Sequence, residues 1–300
     1  MQQPVVLVEE RRAAGVLGFV RGPARAMRRF ARRQPIGFIA SLVILLLVLL
    51  AFFGSLIAPY DPVEMGAGAR LESPSADHFF GTDEKGRDVF SRIVEGARVS
   101  IYVGLISVAI GNGGGLVVGM VTGYFGGKLD MVVQRLMDAM MAFPMLVLAM
   151  AMTAVLGPGM VTAMIAIGVA ILPSANRVMR GSTLAAKQNL YIEAARSMGA
   201  SHGRIMLVHI FPQILAILMV SVSIMMGMAI VIEASLGFLG LGVQPPEVSW
   251  GRMLNDGRGM MEDAPWMILA PGVAIGLVVL AFNMLGDALR DYFDPSLRGR

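Results

Sequence analysis

LYIEAARSMGASHGRIMLVHIFP, residues 190–212, is a polar, helix-prone insert between two long apolar runs. The alanines and helix formers before Gly199 predict one short helix. Gly199 suits its C-terminal stop, because glycine takes left-handed backbone angles without strain. Ser201 is then placed to cap a second helix, which Pro212 is expected to limit, since proline lacks the N–H that continues the ladder. A helix–glycine–helix stub between apolar runs is a docking surface on a membrane protein.

The flanking sequence supplies the membrane. Of 300 residues, 56% are hydrophobic and only 15% charged, well below the charge of a soluble chain. Charge-free stretches cover 34–60, 99–127, 139–176, 211–232 and 264–286. About 20 apolar residues cross a bilayer core, and Gly157-Pro158-Gly159 divides the run 139–176 into two. Six spans result: 36–57, 99–122, 137–156, 160–178, 213–234 and 265–287. The fold class is an all-α polytopic membrane protein. Its parts are a basic tail (1–35), a first transmembrane helix (36–58), a loop (59–98), a five-helix core (99–290) holding the stub within 179–212, and a second tail (291–300).

Arginines orient it. Arg11 to Arg33 place the N-terminal tail in the cytoplasm, an even span count returns the C-terminus there, and Arg177, Arg180, Lys187, Arg196 and Arg204 put the stub on the same side. The acidic loop before span two (Asp61, Glu64, Glu72, Asp77, Asp83, Glu84, Asp88, Glu95) falls opposite. The net charge of +4 is thus a topology signal, and nucleic-acid binding is not indicated. The first apolar run is too long for a cleavable signal core and reads as a retained span. The basic tail, interrupted at Gly22-Pro23, suits either short interfacial helices or a solvated orientation signal.

Within span two, Gly111, Gly115, Gly119 and Gly123 recur every fourth residue, with Gly127 just beyond, a helix-packing face of the small-xxx-small kind. Arg135 and Asp138 are spaced to pair on one helix face. Pro144 is expected to bend span three, and Pro173 span four. Val89, Phe90, Ile93, Val94 and Ala97 predict an amphipathic helix running into span two, and the charges around it are expected to form a helix cap and ion pairs. His78, His202 and His209 are dispersed and read as surface or interface residues. Catalytic signatures are lacking: no cysteine, no GxxxxGK[ST], no HExxH, and Glu233 stands where a Gly-x-Ser-x-Gly elbow around Ser235 needs glycine. Catalytic and metal sites are therefore expected to be none.

Glu193-Ala194-Ala195, then Gly199 and Pro212, resemble the EAA loop of membrane subunits of ATP-binding-cassette (ABC) importers, with His209 and Phe211 replacing the usual Ile and Leu. Gly81-Thr82-Asp83, Gly86-Arg87-Asp88, Ser91-Arg92, Gly96-Ala97-Arg98, the segment 233–251 and the segment 280–298 are similar to dipeptide, oligopeptide and nickel importer permeases of the second, C type. That resemblance covers residues 35–298. It implies a type I ABC importer permease whose coupling surface comprises Tyr191, Glu193, Ala194, Ala195, Met198, Gly199, Ala200, Arg204, His209 and Pro212. It further implies a homologous second permease, two ATPase subunits that bind ATP and magnesium (this chain needing no cofactor), an extracytoplasmic substrate-binding protein, and residence in the bacterial inner membrane. Cargo is left open among di- and oligopeptides, nickel chelates and glutathione. The rival is a stand-alone ion-coupled transporter, which calls for midplane charges and an internal repeat; Asp138, Glu233 and Asp287 lie near span ends instead.

Overall fold

The computed structural model describes Ala31 and residues 34–293; nearly all of the basic tail and the last seven residues lie outside them. Nine helices are named here: α1 (Pro35–Ile57), α2 (Val89–Phe125), α3 (Gly127–Met141), α4 (Met145–Leu156), α5 (Met160–Lys187), α6 (Leu190–Ser197), α7 (His202–Phe238), α8 (Trp250–Gly257) and α9 (Trp266–Phe293). Five are long and apolar enough to cross a bilayer, or six if the bent pair α3–α4 counts as one span.

The amphipathic segment before span two is continuous with it, giving one 37-residue helix. Its start is fixed locally: Asp88 accepts the Ser91 N–H at 2.7 Å and the Ser91 hydroxyl at 2.7 Å. His78 Nδ1 lies 2.9 Å from the other Asp88 oxygen, and both residues are buried. His78 is therefore an interior residue, contrary to the surface reading; its partner ten residues away gives no local sequence signal. Around it Arg87 pairs with Asp83 at 2.6 Å, and Arg87 and Arg92 each approach Asp256 of α8 at 3.6 Å. The Trp250 and Trp266 indoles donate to the Ile93 and Thr82 carbonyls at 2.9 and 3.0 Å. Loop 58–88, α8 and the start of α9 are thus fastened to α2 as a cap.

The α2–α5 seam is the most extensive helix contact. A Cβ on Gly111 would lie 2.6 Å from the Ile171 side chain, one on Gly115 2.5 Å from the Ala175 Cβ, and one on Gly119 2.7 Å from the Asn176 carbonyl oxygen. On Gly123 it would meet Thr183 at 3.0 Å, and α5 answers with Gly168 against Ile110. Helices this close gain dispersion contact along their backbones, the main attraction left where lipid removes the hydrophobic contrast. Gly127 is not part of this face; it has φ +63° and open space around it.

Three expectations are corrected. Span three is not one bent helix: α3 and α4 meet at 88° across Ala142-Phe143-Pro144. Pro144 has no N–H and disfavours helical angles at Phe143, and α3 is drawn aside by ion pairs to α5. Those pairs are the second correction. Asp138 binds Arg177 at 3.0 Å and Asp130 takes Arg180 bidentately at 2.6 Å, so the acid meets a cation from another helix rather than Arg135. Third, Pro212 does not limit the helix begun at Ser201. The chain adopts a π turn over Ile205–Ile210, with Phe211 N–H donating to Met206, and passes through Pro212 to Phe238. The wider π turn shifts the hydrogen-bond ladder by one residue just where proline would interrupt it.

Candidate functional site

The stub forms at one end of the bundle. Asn189 precedes α6 in extended conformation, and its side-chain amide donates to Ala186 O at 3.0 Å and to Gln213 Oε1 at 3.2 Å, tying the end of α5 to α7. At the other end of α6, Gly199 has φ +81°, its N–H donates to Arg196 O, and the Ala200 N–H donates to Ala195 O, each at 3.0 Å. These two bonds with a left-handed glycine make a Schellman stop. Ser201 Oγ then accepts the Arg204 N–H and starts α7. No other atom lies within 4 Å of a Cβ on Gly199, so backbone conformation, not space, selects glycine there.

α6 has two unlike faces. Ile192 and Ala195, three apart, are buried, Ile192 within a cluster of Met120, Tyr124, Met179, Ile205, Ile210 and Ile214. Tyr191, Glu193, Ala194 and Met198 are exposed, Leu190 and Met198 more than 80% so. Ala195 therefore turns toward its own chain, and Ala194 is the small residue left on the outer surface. Ala200 and His209 are half-buried, while Arg204 and Pro212 are exposed. Tyr191 Oη donates to the His209 carbonyl at 3.5 Å.

The end of α2 holds this turn in place. Tyr124 Oη lies 2.8 Å from His202 Nδ1, Lys187 Nζ donates to Tyr124 O at 2.5 Å, and the Arg196 guanidinium sits 5.9 Å from the Tyr124 ring centroid. One aromatic residue thus touches the end of α5, α6 and the start of α7. The sequence reading missed Tyr124; its sole signal was an aromatic pair, Tyr124-Phe125, at the end of the glycine-striped span. The arrangement holds a short helix against the ends of α2, α5 and α7 while presenting one face outward. Among the described residues no three His, Asp or Glu side chains gather as a metal site.

Residues 115–299 match the family described as binding-protein-dependent transport system inner membrane component, and residues 23–74 match the N-terminal TM domain of oligopeptide transport permease C. Among similar proteins, the glutathione transport system permease protein GsiD of Pectobacterium atrosepticum is 44% identical over 280 residues, 93% of each chain. The dipeptide transport system permease protein DppC of Alkalihalophilus pseudofirmus is 41% identical over 276 residues, 92% of this chain and 91% of that one. GsiD of Escherichia coli O157:H7 is 43% identical over 281 residues, 93% of each. With the helical architecture, these matches make the chain a member of the binding-protein-dependent transport system inner membrane components, in the C-type group of ABC importer permeases.

Proposed function

We propose that this chain is one of two pore-forming subunits of an ATP-driven importer of di- or oligopeptides, working by alternating access. A homologous permease completes the pore, two ATPase subunits bind ATP and magnesium, and an extracytoplasmic protein delivers the peptide. Both tails and residues 179–212 face the cytoplasm, in keeping with the arginine bias. The chain itself carries out no covalent step and holds no cofactor.

The observation that carries this reading is the two-faced α6. Its inner face is packed on the ends of α2, α5 and α7, so a displacement imposed on the outer face by an ATPase has a stiff path into three long helices. Tyr191, Glu193, Ala194 and Met198 supply that outer face. Peptide cargo is supported by the dipeptide permease relative, and glutathione, itself a tripeptide, by the relatives of 43–44% identity. A nickel chelate is the remaining cargo.

Purifying the complex with its binding protein and reconstituting it in vesicles tests the reading. Labelled dipeptide is expected to accumulate only with ATP, and unlabelled peptide to compete better than glutathione or a nickel chelate. ATP-independent uptake by vesicles holding this chain alone would sink it.

A further inference from the structure

At the end of the bundle remote from α6, Glu233 is fully buried and neither carboxylate oxygen has a hydrogen-bond partner. The coupling mechanism makes no use of it. α2 and α7 run antiparallel in a register fixed by two contacts. Asn112 Nδ2 donates to Ser221 Oγ at 2.9 Å, and a Cβ on Gly104 would meet Met226 at 3.2 Å and Ile230 at 3.5 Å. One turn further, the same register brings Ser100 level with Glu233. Ser100 is also fully buried, and its hydroxyl is also unpartnered. On the third side stands Ser249, the cap of α8, whose oxygen accepts the Arg252 N–H at 3.2 Å; it lies two residues before Gly251, which packs against Ala234, the neighbour of Glu233.

Among the described residues no Lys or Arg nitrogen hydrogen-bonds the Glu233 carboxylate, and Arg70, Lys85 and Arg258 of the adjoining loops are exposed. On α2, Arg92 approaches Asp83 and Asp256, and the half-exposed Arg98 lies 3.9 Å from Glu95. On α8, Arg252 pairs with Asp256 at 3.1 Å. α4 has no ionisable side chain; the cations of α5 (Arg177, Arg180, Lys187) and of α9 (Arg290), with Asp287 and Asp291, lie at the opposite end of their helices. A carboxylate stripped of both water and partners is too costly to stand alone, and unpartnered buried oxygens mark the place of a species that satisfies them.

We infer that Glu233, with the hydroxyls of Ser100 and Ser249, is a binding site for one small cation, a proton or a dehydrated alkali ion. Oxygen-only donors with a single formal charge suit such a species and disfavour a transition metal. The site lies where α7 packs on α8 almost backbone to backbone: a Cβ on Gly251 would lie 2.5 Å from the Ala234 carbonyl oxygen. Binding of the cation therefore favours this packed arrangement, and separating α7 from α2 and α8 lets the ion leave into water.

The test uses the purified four-subunit complex, with and without Glu233→Gln, an isostere that needs no counter-charge. In the proton arm, infrared spectra of the wild type show the carbonyl band of a protonated carboxyl that Glu233→Gln lacks and Glu233→Asp displaces. In the alkali arm, replacing choline by sodium or potassium at constant ionic strength raises the melting temperature of the wild type but not of Glu233→Gln. Each tenfold increase in cation above its dissociation constant then shifts the folded-to-unfolded ratio by about tenfold. Either result identifies the ion. Absence of the band together with equal cation responses in wild type and Glu233→Gln overturns the site. Both readouts are independent of cargo, so they stand or fall separately from peptide transport. Should Glu233→Gln not assemble, Ser100→Ala serves as the second variant and is expected to weaken the alkali response or shift the carboxyl band.

Discussion

The seam between α2 and α5 and the turn after α6 both depend on glycine, for opposite reasons. At Gly115 and Gly119 the backbone is ordinary helix, and the obstacle to a side chain is a neighbouring backbone less than 3 Å from where its Cβ would sit. At Gly199 there is room on every side, and the obstacle is the chain's own φ of +81°. The first kind of glycine sets how closely two membrane helices approach. The second sets the direction in which the chain leaves one helix for the next. Substitutions at the two should fail differently: a seam variant loses the fold, and a turn variant keeps the fold and loses coupling.

The largest effect is expected at the seam. Gly115→Leu places a branched side chain against Ala175 and the Asn176 backbone, an overpacking cost of about 3 kcal/mol or more. Little correctly assembled protein is expected in a detergent-solubilised size-exclusion profile. A normal profile would mean that α2 and α5 can part without unfolding the subunit.

Next comes Gly199→Val. A β-branched residue at positive φ costs about 1–3 kcal/mol, and the turn can shed this strain by reorienting α6. Membrane insertion and span packing should persist while ATP-driven uptake is lost or the ATPases detach. Gly199→Asn, which tolerates left-handed angles better, should retain more uptake than Val. Equal loss in both would point to bulk rather than conformation, and would erase the distinction between the two glycine classes.

The smallest effects lie between the two regions, where ion pairs join α3 to α5. Arg180 makes a bidentate, largely shielded pair with Asp130, whereas Arg177 and Asp138 are both more than half exposed. Arg180→Ala is expected to lower stability by about 1 kcal/mol and Arg177→Ala by less than about 0.5 kcal/mol. Thermal melts of the two variants at low and high salt check the order, and a larger Arg177 effect reverses it.

The long apolar runs, the helix stop at Gly199 and the cap at Ser201 were legible because each depends on neighbours in sequence. The place of the bend at Pro144 was legible too, but its sharpness, 88°, and the passage through Pro212 were not. Proline removes the same N–H in both places, but distant partners and a π turn decide whether the helix breaks or continues. Pairing of Asp138 was misassigned for the same reason: Arg135 is near in sequence, but Arg177 is near in space. At the stub, the EAA spacing located the helix yet could not say which of its alanines faces inward. That is decided by Ile192, whose burial carries Ala195 with it one turn later. Ser100 and Glu233, separated by more than a hundred residues, are set level with each other only by the antiparallel register of α2 and α7.

The outward face of α6 begins with Leu190 and ends with Met198, both more than 80% exposed, on a segment too short and polar to lie among lipid tails. Before assembly, a newly made subunit would leave these two apolar side chains uncovered, together with whatever apolar surface its partners would otherwise bury. Synthesis of this chain without its partners should therefore end in clumping or proteolytic clearance, and balanced production of the subunits becomes a requirement of the fold itself.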